Sequence, residues 1–482
     1  MSETGSHDAF TPRFPEYVFQ DRVDDVGLLL PIARKRVRQR YAYSAFQAGP
    51  PFGDGRLVGG EKLLIVTYPK QDMTVLEAIK QALLEEGAAS VDHVFLTDLG
   101  VEEHDYTAAD GWREVPDRLA PMVSDGVTFN FEAHCLRQYL DDQPQLTGYY
   151  AGEAGAKLHW QRAAGGAMRG QWLYTTYESL ISRGTAFPDV LWRLIDEKTL
   201  ALFGDAAAVR ITDPQGTDIS WEVTEEQAAL WPRGANVPGH LLGSTIQAVR
   251  FARPVETFLN EAKKLMPTLN GVVAGTGNHT GYFPHIEVTI ESGMITGIKG
   301  GGEYGRLWRE VVDDYAEAQY PGFPYKGWAY FNDASIGTNP KAHRNSEGLW
   351  SSNDSWTNLP ERLRAGVVHF GFGAEHWDEE FLSYARDNNL PTMHFPHIHV
   401  YAPTWEIRRR SDNSWFKLID QGWLTTLGDD DVRRVASALG GTEWLEYDWV
   451  PRIPGVNAPG DYMEDYGRDP VAVIREEVGE RL

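Results

Sequence analysis

Apolar and polar positions along the first 205 residues alternate between two periods. Lys62 to Pro69 (KLLIVTYP) is a nearly continuous apolar run, the pattern of a buried strand. Thr74 to Ala88 carries apolar residues at helical spacing and stops at a glycine, Gly87. Val91 to Leu99 (VDHVFLTDL) then reads as a second strand. Strand, helix and strand in this order predict a β-α-β unit with parallel strands. Its first turn lacks G-x-G-x-x-G, so no dinucleotide is implied. Further helices are predicted over 131–142, 171–183 and 188–203.

The pattern changes near residue 205. Ala208–Thr212 and Thr217–Val223 read as short strands around the turn Asp213-Pro-Gln-Gly216. The run from His285 (HIEVTIESGMITGIKGG) reads as a hairpin turning at Ser292-Gly293. Glu303 to Ala318 reads as a helix. The expected fold class is therefore α/β plus α+β. An N-terminal arm (1–45) precedes an α/β layer with parallel strands (46–205), and a strand-rich α+β metal-binding domain (206–482) follows. Ile32–Arg40 (IARKRVRQR) is a basic helix in an acidic protein. It suits either a partner subunit or solvent.

Composition narrows the partners. The formal net charge is −24 over 482 residues, which repels nucleic acid and anionic membrane. One cysteine, Cys135, excludes an intrachain disulfide and a Cys-based zinc site. The start, MSETGSHDAF, has no basic or apolar signal region, and no apolar run spans a bilayer. A cytoplasmic protein acting on a small molecule is the expectation.

Candidate chemistry concentrates late in the chain. His394 to Tyr401 (HFPHIHVY) holds three histidines, and His397-x-His399 reads as a strand. Residues i and i+2 of a strand face one way, so both imidazoles can reach one metal, or can simply line a solvated face. Three other segments add ligand types: WPRGANVPGH with His240, YFNDASIGTNP with Asp333, and VVHFGFGAEH with His369 and His376. Each has a structural explanation alone. Together they supply one carboxylate and several imidazoles.

The order of these segments resembles that of the aminopeptidase T superfamily, over roughly residues 206–410. That group contains dinuclear metallo-aminopeptidases and iron-dependent 2,5-dihydroxypyridine 5,6-dioxygenases. The anchors are RITDPQGTDISWEV, WPRGANVPGH, IEVTIESGMITGIKGGGE, SIGTNPKA, VVHFGFG and PHIHV. The resemblance implies metal places at His240, Asp333, His369, His376, His397 and His399. The peptidases' glutamates become His240 and Asp333, a tyrosine becomes His376, and a final His-x-Asp becomes His397-x-His399. In the dioxygenases the Asp333 place holds a histidine. Asp333 and His399 thus exchange roles, and a 2-His-1-carboxylate set of Asp333, His397 and His399 is implied. MITGIKGGGE also looks closer to the dioxygenase branch.

Charge separates the branches. Two divalent ions carry four positive charges, and a single Asp compensates one. One Fe(II), or Zn(II) or Mn(II), fits more readily. The leading expectation is therefore a mononuclear iron dioxygenase opening a hydroxylated aromatic or N-heteroaromatic ring. His369 or His376 would be the acid/base, and His240, Trp231, His394 and Tyr401 would line the substrate site, with Trp405 as a further aromatic. A metal-dependent hydrolase, either aminopeptidase or amidase, is the alternative. A non-catalytic metal-binding protein is a third reading. Dioxygen would be the co-substrate, and the resemblance implies a homo-oligomer.

Overall fold

The structure is a computed structural model. It describes residues 10–15, 22–38, 59–60, 62–67, 72–95, 98, 127–129, 169–170, 177–230, 240–242, 260, 263–278, 282–344, 361–374, 379–388, 390–391 and 396–479. These form a mixed α/β structure in which antiparallel sheets predominate. No helix among them is long and apolar enough to cross a membrane.

Near the N-terminus, helix α1 (Val26–Arg38) precedes strand β1 (Lys62–Thr67), helix α2 (Met73–Glu85) and strand β2 (Ser90–Phe95). β1 and β2 pair in parallel, from Lys62 opposite Ser90 to Thr67 opposite Phe95. Asp72 caps α2 by accepting from the Val75 amide, and Gly87 ends its turn with a positive φ of 104°. Val75, Leu76, Ile79, Ala82 and Leu83 form its buried stripe against Leu29, Leu30, Ala33 and Val37 of α1. The basic face of α1 finds partners within this chain. Arg34 pairs with Glu85, Arg38 with Glu86, and Lys35 donates to the Phe187 carbonyl at 2.8 Å. Two short strands, β3 (Val127–Phe129) and β4 (Arg169–Gly170), continue this sheet in parallel. Most of 96–176, including the helix expected over 131–142, lies outside the described residues.

The helix expected over 171–183 is described from Tyr177 only. It runs Tyr177–Ile181 and breaks at Ser182, whose hydroxyl accepts from the Thr185 amide at 3.1 Å to start a new turn. Helix Asp189–Phe203 then begins after Pro188, as the periodicity predicts.

Twelve further strands follow in chain order: β5 (Ala206–Thr212), β6 (Asp218–Glu222), β7 (His240–Leu242), β8 (Asn270–Gly277), β9 (Tyr282–Glu291), β10 (Met294–Gly300), β11 (Phe331–Gly337), β12 (Val368–Phe372), β13 (His397–Val400), β14 (Thr404–Arg409), β15 (Trp415–Asp420) and β16 (Trp423–Leu424). Eight make one antiparallel sheet, ordered β10-β9-β8-β6-β5-β14-β15-β16. Four make a second, ordered β13-β12-β11-β7. The β9–β10 hairpin turns at Ser292 and Gly293, whose φ values of 51° and 75° are those of a type I′ turn. The β5–β6 turn is tied by Asp213, which accepts from the Gln215 amide at 2.7 Å.

One apolar core joins the two sheets. Val209, Ile211, Trp221, Val273, Ile286 and Val288 of the large sheet share it with Ala334, Ile336, Val368, Phe370, Ile398 and Val400 of the small one. Helix Asp189–Phe203 adds Leu191, Trp192 and Phe203. The two sheets meet closely where β8 passes β13. A side chain at Gly275 would meet Ile398 Cγ2 at 2.6 Å and the His399 carbonyl oxygen at 2.8 Å. Glycine is therefore what lets β13 lie at this depth.

This contact gives a direct test. Gly275→Ala should destabilise the protein by about 1–3 kcal/mol, because two backbones must separate. Gly428→Ala, where a new Cβ meets nothing within 4 Å, should change stability by less than about 0.5 kcal/mol. Denaturant unfolding of both variants measures the contrast, and equal effects would contradict the packing described.

Candidate metal centre

Strands β11 (FNDASIG), β12 (VHFGF) and β13 (HIHV) are buried along their whole length. From Asp333 onward in β11, past a bulge at Asn332, and along β12 and β13, small or polar residues alternate with apolar ones at a strand's period of two. In register, Asp333 lies opposite Gly371, which lies opposite His397. The next matching row is Ser335, His369 and His399. Directly opposed residues of antiparallel strands share a face. One face of the sheet therefore carries Ala334, Phe370 and Ile398 into the core, and the other carries Asp333, Ser335 and three histidines. Gly371 brings no side chain to the polar face between Asp333 and His397.

The polar side chains converge. Ligand atoms of Asp333, His369 and His397 all lie within 4.8 Å of one another. His369 Nε2 is 3.2 Å from Asp333 Oδ2, and the Ser335 hydroxyl donates to that same oxygen at 2.9 Å. The His369 ring centroid is 5.5 Å from that of His397 and 6.2 Å from that of His399. Tyr304, which stacks on Phe283, reaches over to the His397 carbonyl oxygen at 3.4 Å.

These donors fit a divalent ion. Ligands at about 2.0–2.2 Å from one ion stand roughly 3 Å apart when adjacent. The Asp333–His369 separation already has that value, and the third donor needs only a small inward movement. Two imidazoles and one carboxylate suit Fe(II), Zn(II) or Mn(II).

Behind His399 lies a second polar group that the sequence did not point to. Glu361 is fully buried and accepts four contacts. His399 Nδ1 is 3.0 Å and the Tyr401 hydroxyl 2.6 Å from Oε1. The Tyr282 hydroxyl is 3.0 Å and Arg344 Nε 3.1 Å from Oε2. Burial alone would raise the Glu361 carboxyl; Arg344, His399 and Tyr401 outweigh it and hold the group below its ordinary range. Burial also pushes the His399 imidazole down, with Glu361 opposing, so the ring is neutral at physiological pH. An ionised carboxylate only accepts, so Nδ1 carries the proton and donates it to Glu361. The lone pair then sits on Nε2. Arg344 lies 4.8 Å from the ring centroids of both Tyr282 and Trp449, and 3.9 Å from Glu477.

No protein-family model matches the chain, and no curated protein matches it. Solved structures similar to it include two that span most of its length. Wild-type AmpT from Thermus thermophilus shares 12% identity at a TM-score of 0.40, over 82% of this chain and 98% of that one. The 2,5-dihydroxypyridine dioxygenase of Pseudomonas putida KT2440 shares 13% at a TM-score of 0.37, over 83% of this chain and 97% of that one. At these values the likeness carries no functional weight, and the site stands on its own side chains.

The set brought together differs from the expected Asp333, His397 and His399 in one member. His369, expected as an acid/base, is among the mutually close ligand atoms, while His399 adjoins them and binds Glu361. Tyr401, expected to face substrate, is buried and donates to Glu361. Trp405 is core, packed edge-on against Phe203 and Trp221. His240 is placed by backbone register alone, opposite Gly337. Trp231, His376 and His394 lie outside the described residues. Glu361 had little to mark it in the sequence. In PERLRAG it sits among Arg362 and Arg364 like an ordinary surface charge.

The cluster predicts a specific pattern of metal loss. Asp333→Asn, His369→Ala and His397→Ala should each weaken divalent-metal affinity by more than about 100-fold, since losing a ligand exceeds the effect of losing an outer partner. His285→Ala, whose ring is bonded to the Tyr462 hydroxyl elsewhere, should bind metal as the parent does. Equilibrium dialysis with elemental analysis distinguishes the two outcomes.

Proposed function

We propose that this chain is a mononuclear, non-haem iron dioxygenase that opens a hydroxylated aromatic or N-heteroaromatic ring. The observation that carries the reading is the convergence of one carboxylate and two imidazoles, Asp333, His369 and His397, on one buried sheet face. Such a set leaves coordination positions open for substrate and dioxygen. A bound Fe(II) would supply the redox chemistry that dioxygen activation needs. One carboxylate offsets half the charge of one divalent ion, which favours one metal over two. The ordered anchors between 206 and 410 support the same reading.

The chain's own groups do the rest. Ser335 fixes Asp333 through its donated hydrogen bond, so the carboxylate keeps one orientation. Gly371 adds no side chain between Asp333 and His397, and the half-buried Tyr304 bonds the His397 carbonyl oxygen. Burial of the face excludes water from a reactive centre.

A metal-dependent hydrolase is the second reading, and His369 favours it. In the resembling peptidases a histidine occupies that place, whereas in the dioxygenases none does. A bound metal would then lower the pKa of a water.

Anaerobic reconstitution with Fe(II), followed by oxygen-uptake assays on dihydroxypyridines and catechols, separates the readings. The proposal expects uptake that requires Fe(II) and is lost in His369→Ala. No uptake across the panel, with two metals per chain and amide turnover, would favour the hydrolase.

A further inference from the structure

Among the described residues, the Glu361 group is the most completely connected polar network outside the metal cluster itself. Both carboxylate oxygens are used twice. Its position is fixed from several parts of the fold. Tyr282 comes from β9, Tyr401 from the end of β13, and Arg344 from the segment after β11. Backbone packing fixes the adjoining turn as well, because a side chain at Gly337 would meet the Arg362 and Arg364 carbonyl oxygens at 2.3 Å. A network this rigid is more than is needed to neutralise one arginine. One of its four contacts is a histidine on the ligand face.

We propose that Glu361 is a positioning residue that locks the tautomer and orientation of His399, so that His399 Nε2 serves as a fourth protein ligand beside Asp333, His369 and His397. The inference rests on the reading that this face holds a divalent metal. Its physical basis is that a metal-binding imidazole must present a bare nitrogen, and a carboxylate on the other nitrogen guarantees this. His399 is in register with His369 and on the same sheet face as His397; with Nδ1 held by Glu361, Nε2 is the nitrogen that would meet a metal, and the ring, 6.2 Å from that of His369, must draw inward to join the mutually close set. Arg344, enclosed by Tyr282, Tyr401 and Trp449, keeps the Glu361 carboxylate compensated at full burial. Tyr401 then acts from behind the site, through Glu361.

The test uses the full chain, freed of metal by a chelator, with Co(II) as the probe. Co(II) affinity is measured by chelator competition and its environment by visible absorption. Glu361→Gln keeps the shape but removes the charge that fixes the tautomer. Glu361→Asp keeps the charge beside Arg344 but falls short of His399. Each should weaken Co(II) binding by about 10–100-fold and alter the visible spectrum. His399→Ala should weaken it at least as much. Combining either Glu361 variant with His399→Ala should add less than about twofold, because Glu361 acts only through that ring. Should Glu361→Gln fail to fold, the Glu361→Asp cycle decides alone. Parental affinity in the foldable Glu361 variants, or additive losses in the double variant, would overturn the inference while leaving the metal site standing. No Co(II) uptake by the parent protein would instead overturn the metal reading, and this inference with it.

Discussion

The feature on which the rest depends is a polar face on a sheet that is buried on both sides. Asp333, His369, His397 and His399 occupy that face, and each is nearly inaccessible to water. An ionised carboxylate buried without compensation would be strongly destabilising. Two kinds of compensation are visible. Ser335 and His369 lie against the Asp333 carboxylate, and the Tyr282–Arg344–Tyr401 shell absorbs Glu361. Three strands must keep strict register for this to work, since a slip of one residue would turn the ligands into the core and Phe370 onto the ligand face. The apolar side of the same sheet supplies that register. Ile336, Val368, Phe370, Ile398 and Val400 pack against the large sheet, and Gly275 admits β13 to its depth.

Much of the fold was legible because its local signals agree with its tertiary contacts. Helix Asp189–Phe203, the Asp213 turn and the Ser292-Gly293 hairpin each follow from a short stretch with one dominant cause. The strand period of His397-x-His399 likewise gave the shared face directly. What local sequence cannot give is which strands become neighbours. His369 stands between Asp333 and His397 only because β12 is the middle strand of the three. Read alone, its alternation with glycines and aromatics suits either a core histidine or an acid/base.

Glu361 is the clearest case of a residue hidden from sequence reasoning. Its neighbours in the chain are arginines, and its partners in space lie 17 to 79 residues away. No periodicity marks such a group; long-range packing alone makes it a buried hub. The aromatic residues misled in the opposite direction. Trp405 and Tyr401 have the composition of a ligand pocket, yet one fills the core and the other donates a hydrogen bond to a buried carboxylate. Large aromatics serve cores and sites equally well, so residue type alone does not separate the two.

The central claim is that the buried face of β11, β12 and β13 is a metal site. Anomalous diffraction from crystals of the full-length protein grown with Fe(II) tests it most directly. The account predicts one strong anomalous peak per chain, bounded by Asp333, His369 and His397 with His399 alongside. Saturating metal with no peak at that face, or peaks only elsewhere on the molecule, would contradict it.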